Sequence, residues 1–171
     1  MALDIPTLET ERLVLRPFRQ DDTDAFAALC ADDEVMRWLG GTMDRNGAWR
    51  HMATLVGHWR LHGFGRWAVE LRETGEFAGH VGLWYPEGWP AIEIGWAIAR
   101  AAWGGGIATE AARASLGYAW EEVGLERIIH LIRDDNVRSQ SVARKLGSRR
   151  TEERFRFAGM EMAVWEILRP E

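Results

Sequence analysis

Along this chain, apolar residues alternate singly with polar ones in some stretches and recur every three to four residues in others. The two periods mark strands and helices. In "RLVLRPF", Leu13 and Leu15 fall on one side and Val14 on the other, which predicts a first strand ended by Pro17. "QDDTDAFAAL" offers Asp21 and Asp22 as caps before Phe26 and Leu29 enter helical spacing. "GAWRHMATLVGHWRLHG" brings Trp49, Met52, Val56 and Trp59 near one helix face and closes at Gly63. "RWAVELRETGEFAGHVGLW" predicts two strands joined around "ETGE", with Gly75 supplying the positive φ of a tight hairpin. The strongest strand is "AIEIGWAIA", where Ile92, Ile94, Trp96 and Ile98 share one face and Glu93, Gly95 and Ala97 the other. Ala112, Leu116, Ala119 and Val123 form one helical stripe that Gly124 stops. "RIIHLI" is a buried strand and "SQSVARKLG" a short helix ending at Gly147. "RTEERFRF" and "EMAVWEIL" are two strands turning around "AGM". The predicted order β, α, α, β, β, β, α, β, α, β, β implies a mixed α/β sheet (an α+β arrangement) rather than a doubly wound parallel one.

Length changes this picture little: 171 residues suit one domain spanning residues 1–171, and no linker, repeat or low-complexity segment divides them. Ten tryptophans are many, and they must stack in the core or line a cleft. A net charge of −5 argues against a nucleic-acid partner, which demands a basic face. The single cysteine, Cys30, permits no internal disulfide and no thiolate zinc site, as suits a reducing compartment. The opening "MALDIPTLETERL" is acidic where a signal peptide is basic and then apolar, and no 18-residue apolar run occurs. The expectation is a cytoplasmic protein without a membrane partner.

The candidate chemistry centres on "WGGGIATEA", Trp103 to Ala111, where a strand leads through glycines into a helix. Unpaired N–H groups at that helix start, reinforced by the helix dipole, favour an anion such as a phosphate or pyrophosphate. A merely flexible turn is the alternative. A Walker loop needs G-x-x-x-x-G-K-[ST], and no lysine stands where it is required. A dinucleotide fingerprint meets Thr109 where a third Gly or Ala belongs. His58 and His62 are four apart, but "HWRLH" lacks the zinc-protease glutamate and suggests a partly exposed helix pair. His51, His80 and His130 are expected to be structural, and Cys30 a small buried residue.

"WGGGIATEA" after "EIGWAIA", followed by "NVRSQSVARKLG", resembles the GNAT N-acetyltransferases, most closely the branch that acetylates ribosomal-protein N-termini. In the family's Q/R-x-x-G-x-G/A loop, Trp103 takes the first place, Gly106 the fourth and Ala108 the sixth. Trp103 departs from the general rule but resembles this branch's form. Asn136, Ser139, Leu146 and Gly147 match the later N-x-x-S…LG element, and "TERLVLRPF" and "ILRPE" extend the likeness over nearly the whole chain.

The resemblance implies the GNAT fold: a bent, mostly antiparallel sheet of about six to seven strands with about four helices, splayed between the fourth and fifth strands. It implies acetyl-CoA as cosubstrate, no metal, and direct attack by a primary amine on the thioester within a ternary complex. Cofactor-binding residues would be Trp96, Ala97, Ile98, Trp103, Gly104, Gly105, Gly106, Ile107, Ala108, Thr109, Asn136 and Ser139. The reaction needs a base, an oxyanion donor and an acid. Glu93 is the candidate base, with a solvated carboxylate that only attracts a cationic substrate as the alternative. A backbone N–H near Ile98, at a bulge, is the donor. Many relatives use a tyrosine as acid, but that place is Ala143, so Ser139 takes the role, or else is an ordinary helix cap. Asn136 would cap the same helix, bond pantetheine, or both. Trp84 and Trp89, flanking "YPEG", would wall the acceptor site or simply pack. The acceptor is a small-molecule amine or a peptide N-terminus, and the protein a monomer or homodimer. A non-catalytic acyl-CoA-binding module on the same fold is the rival.

Overall fold

The computed structural model describes residues 4–170. Met1–Leu3, which begin the acidic N-terminal reading, and Glu171, which ends "ILRPE", lie outside the described residues. Eight strands form one sheet in the order β1-β2-β3-β4-β5-β6-β8-β7. They are β1 (Leu8–Glu9), β2 (Leu13–Arg16), β3 (Arg66–Leu71), β4 (Phe77–Trp84), β5 (Glu93–Ile98), β6 (Arg127–Ile132), β7 (Arg149–Phe157) and β8 (Met160–Leu168). The helices are α1 (Thr23–Ala31), α2 (Asp33–Met36), α3 (Arg45–His62), α4 (Ile107–Glu121) and α5 (Val137–Leu146). The two-residue β1 and the four-residue α2 are too short to leave a periodic signal, which is why the sequence suggests fewer elements.

Neighbouring strands are antiparallel throughout except for β5 and β6. That parallel pair touches at one register position, Glu93 opposite Ile129, and then parts. This is the expected splay.

Both faces of the sheet are covered. Leu13, Leu15, Trp67, Val81 and Ile94 pack against Ala112, Leu116 and Ala119 of α4. On the opposite face Ala97 meets Phe26 and Leu29 of α1 and Met52 and Leu55 of α3. Two local expectations change. The buried stripe of α3 is Ala48, Met52, Leu55 and Trp59, at i, i+4, i+7 and i+11, while Trp49 stays 48% exposed. Asp22 gives α1 no side-chain cap, and neither does Asp21. The Asp22 carboxylate turns back to accept from the Arg19 N–H at 2.7 Å and from the Arg16 guanidinium at 2.7 and 2.8 Å. Among the described residues no helix is long and apolar enough to cross a membrane.

Candidate active site

The site grows from the edge that β5 loses when β6 departs. The Ala99 N–H bonds the Ala78 carbonyl of β4 at 2.8 Å. Antiparallel alternation therefore turns the backbone groups of Ala97, Gly95 and Glu93 toward β4 and those of Ile94, Trp96 and Ile98 toward the splay. The Ile129 N–H reaches the Ile92 carbonyl at 3.1 Å, and this is where the ladder stops. The next rung would join the Leu131 N–H to the Ile94 carbonyl. Side chains approach both groups instead. His130 Nδ1–H donates to the Ile94 carbonyl at 2.7 Å, and the Glu93 carboxylate lies toward the Leu131 N–H, which pulls its pKa down. His130 thus satisfies a carbonyl that the splay leaves orphaned, and Glu93 stands by the facing N–H.

The His130 tautomer follows from its partners. A carbonyl can only accept, so Nδ1 carries the proton, and Nε2 accepts from the Ser148 hydroxyl at 2.9 Å. Burial pushes the His130 pKa down to about 4, against the pull of the Ile94 carbonyl. Its neutrality is what the position requires.

Glu93 is 8% exposed, so it is not a solvated strand carboxylate. Burial raises its pKa, opposed by the charge of Arg66, the Trp89 indole N–H at 2.8 Å and the Leu131 N–H. A buried carboxylate with a raised pKa suits proton transfer near neutrality.

Beyond Ile98 the chain turns into the glycine loop. Trp103 Nε1–H donates to the Ile98 carbonyl at 2.7 Å and anchors that turn, while the Arg138 guanidinium lies 4.1 Å over its ring. This accounts for an indole where a Gln or Arg is the general rule. Gly104 and Gly106 adopt φ of +83° and +80°, conformations that side chains disfavour. Gly106 is the N-cap of α4, whose first turn receives no side-chain cap. Its amides are therefore free for an anion. Every expected cofactor-binding residue except Gly105 lines one cleft of about 500 Å³, running from Trp96 past Gly106 to Asn136 and Lys145. The chemistry of this lining, an unpaired strand edge leading to a bare helix N-terminus, fits a long ligand that carries amides at one end and phosphates at the other.

Two supports of the loop escape sequence reading. Thr10 Oγ1, the Arg12 N–H and the Arg12 guanidinium all bond the Glu110 carboxylate, and Arg12 Nη1 also donates to the Gly105 carbonyl at 2.7 Å. This clamp neutralises an acid placed in the first turn of an anion-binding helix. It also shows why "TER" and "ATEA" belong together, a signal visible only as two motifs far apart. Arg138 and Lys145 on α5 line the cleft as its cations.

Asn136 is the cap of α5, accepting from the Ser139 N–H at 3.1 Å. Ser139 is therefore not the cap. Its hydroxyl accepts from Trp96 Nε1 at 3.3 Å and lies in the cleft. Ala143, at the position many relatives give to tyrosine, is fully buried, and neither Tyr85 nor Tyr118 lines the cleft. The bulge expected near Ile98 is absent: the β4–β5 register runs without a shift from Gly79 opposite Ile98 to Trp84 opposite Glu93.

The other side of β5 is aromatic and charged. Trp89 packs edge-on against Phe155 and Phe157, and Trp84 stacks on His58 at 4.6 Å. Of the expected partly exposed pair, His62 is exposed and stacks on His58 at 4.4 Å, while His58 is buried: it bonds the Phe64 carbonyl through Nδ1 and accepts from the Tyr85 N–H through Nε2. Burial lowers the pKa values of His51 (to about 4), His58 and His80, with the charge of Arg66 acting in the same direction. Cys30 is buried, which pushes its thiol up to about 11. Among the described residues no cluster of three or more His, Cys, Asp or Glu side chains is arranged to hold a metal.

The family model of the acetyltransferase (GNAT) domain matches residues 12–149. The uncharacterised N-acetyltransferase YoaA of Bacillus subtilis is 30% identical over 145 residues, covering 83% of this chain and 82% of its own. An acetyltransferase structure from Agrobacterium tumefaciens superposes with a TM-score of 0.88 at 29% identity, over 99% of this chain and 98% of that one. RimL, a ribosomal-protein acetyltransferase solved with coenzyme A, superposes with a TM-score of 0.77 over 95% of this chain and 98% of its own. At 17% identity it speaks for the fold alone.

Proposed function

The chain belongs to the GNAT acetyltransferase family and is an acetyl-CoA-dependent acyltransferase; from that premise we propose that it acetylates a primary amine by direct transfer at the splay between β5 and β6. One observation carries the proposal: the unpaired edge of β5 runs from a buried carboxylate at one end into an uncapped helix N-terminus at the other. When bound, acetyl-CoA supplies an activated acetyl thioester. The chain's residues do the rest.

The Trp96 N–H and C=O pair with the pantetheine arm and its acyl end, and the amides from Gly104 to Thr109 hold the pyrophosphate, with Arg138 and Lys145 beside it. Glu93 accepts the proton of the incoming ammonium. Spacing selects the donor to the developing oxyanion. Ile98 lies five residues beyond Glu93, roughly 17 Å along a strand, whereas Trp96 lies three beyond, roughly 10 Å. An amine bonded to Glu93 and attacking a carbonyl spans the shorter distance, so the Trp96 N–H is the donor that serves Glu93 without a water relay. The Ser139 hydroxyl, beside the Trp96 indole, passes a proton to the departing sulfur and takes back the one that the attacking nitrogen sheds as the amide forms.

Incubation with acetyl-CoA and a mixture of primary amines tests the proposal by release of free thiol. Release that depends on the amine supports transfer. Tight acetyl-CoA binding without release from any amine supports the rival, a non-catalytic acyl-CoA-binding module.

A further inference from the structure

Two arginines reach into the sheet face beneath α1 and α3, and only one of them has partners. Arg16, 5% exposed, meets both oxygens of Asp22, the Glu70 carboxylate and the Pro17 carbonyl. Arg66, the first residue of β3, makes no side-chain hydrogen bond and no ion pair with any described residue. Its Nε is sealed from solvent without a partner, while the residue as a whole keeps partial exposure. Sealing one nitrogen of an uncompensated guanidinium is costly, and an anionic ligand reaching its open side would offset that cost.

Its surroundings say what kind of ligand. The guanidinium lies across Gly95: a Cβ there would overlap Arg66 Nη2 and stand 3.4 Å from Glu93 Oε1. Arg66 and Glu93 thus flank one bare glycine without forming an ion pair. The Trp84 ring supports the guanidinium carbon at 5.4 Å. The other titratable groups facing it are His80 of β4 and His51 and His58 of α3, all held neutral by burial, and Glu70 is engaged with Arg16. Among the described residues facing this spot, Arg66 is therefore the cation without an ion-pair partner and Glu93 the carboxylate nearest it, bonded to the Trp89 indole but to no cation. Arg66 does not line the cofactor cleft, so the cofactor's phosphates are not its partner.

We infer that the acceptor carries a carboxylate close to its amine, as a free α-amino acid does, with Arg66 holding the carboxylate while Glu93 takes the amine's proton. The inference rests on the acetyl-transfer reading. The planar fork of a guanidinium matches a carboxylate through two parallel bonds. With both groups beside the same glycine, an anion and an amine carried on neighbouring carbons suit the pair. A peptide N-terminus offers only an amide carbonyl there and leaves the cation unpaired.

The test measures thiol release from acetyl-CoA with three matched sets: the free L-amino acids, their carboxamides and the corresponding decarboxylated amines. For the best amino acid, kcat/KM is expected to exceed that of its carboxamide by about 100-fold, the scale of charged hydrogen bonds made in a desolvated site. In Arg66→Met that ratio collapses toward one, and the melting temperature stays level or rises because an uncompensated charge has been removed. Carboxamides or simple amines used as well as amino acids, or a preference that survives in Arg66→Met, overturn the inference and leave acetyl transfer standing. No release with any set, in a protein that binds acetyl-CoA, overturns the transferase reading and this inference with it. Should Arg66→Met fail to fold, the comparison of the three sets in the unaltered protein decides alone.

Discussion

The two sides of β5 are built from different materials. On the proposed cofactor side the binding groups are backbone: the Trp96 edge, the amides that open α4, and glycines held at positive φ. On the proposed acceptor side they are side chains drawn from separate elements: Arg66 from β3, Trp84 from β4, Trp89 from the following loop and Glu93 from β5. A backbone site serves any chain that keeps its glycines and its strand edge, and so it fits a cosubstrate common to a whole family. A side-chain site can be rebuilt residue by residue without disturbing the scaffold, which is where specificity for the acceptor belongs.

The largest effect that tests this division is expected on the acceptor side. Glu93→Gln should lower kcat/KM by roughly 10² to 10⁴-fold, most where the amine is protonated. Because burial raises the Glu93 pKa, the acidic limb of the wild-type profile should lie above the ordinary glutamate range, and the variant should lose it. A parallel drop at every pH assigns Glu93 to positioning instead.

The stitched rung of the splay is tested through stability. His130 titrates at about 4 when folded and near 6.5 when unfolded, so its folded pKa is depressed. Its contribution is therefore fully present above pH 6.5 and is lost as pH falls toward 4, up to about 3 kcal/mol. Thermal melts across that window should show a decline in wild type that is shallower in His130→Phe. An equal decline in both removes His130 from the account.

The smallest effect is expected at Ser139. Because Asn136 supplies the cap, Ser139→Ala should keep the melting temperature. A thiolate of pKa near ~8.5 departs with little help, so single-turnover acetylation should slow by only about 10 to 100-fold, or roughly 1.4 to 2.7 kcal/mol. Unchanged single-turnover rates leave the acid to solvent.

The same contrast explains what was legible in the sequence. The cofactor side rests on glycine spacing and strand alternation, both of which leave a trace in order alone, and the fold follows from the same periodicities. The splay itself was legible only through resemblance. His130 gave no hint of its role, because its partner is a carbonyl that only three-dimensional divergence exposes. Arg66 opens β3 with nothing in the sequence to single it out, since the absence of a partner has no sequence signature. The face of α3 was misjudged because an exposed tryptophan, Trp49, weighs in a hydrophobic pattern as heavily as a buried one. For Ser139, expected as the acid, the cap stands as the alternative in sequence because Asn136, three residues earlier, competes for the same helix start.

The most direct test of the division is calorimetric titration of acetyl-CoA into folded Gly106→Val and Glu93→Gln, side by side. Valine cannot hold the φ of +80° that Gly106 adopts, so the first variant must rearrange the loop and should bind about 10 to 100-fold more weakly, while Glu93→Gln should bind as wild type does. Unchanged affinity in Gly106→Val, or an equal loss in both variants, would contradict the account.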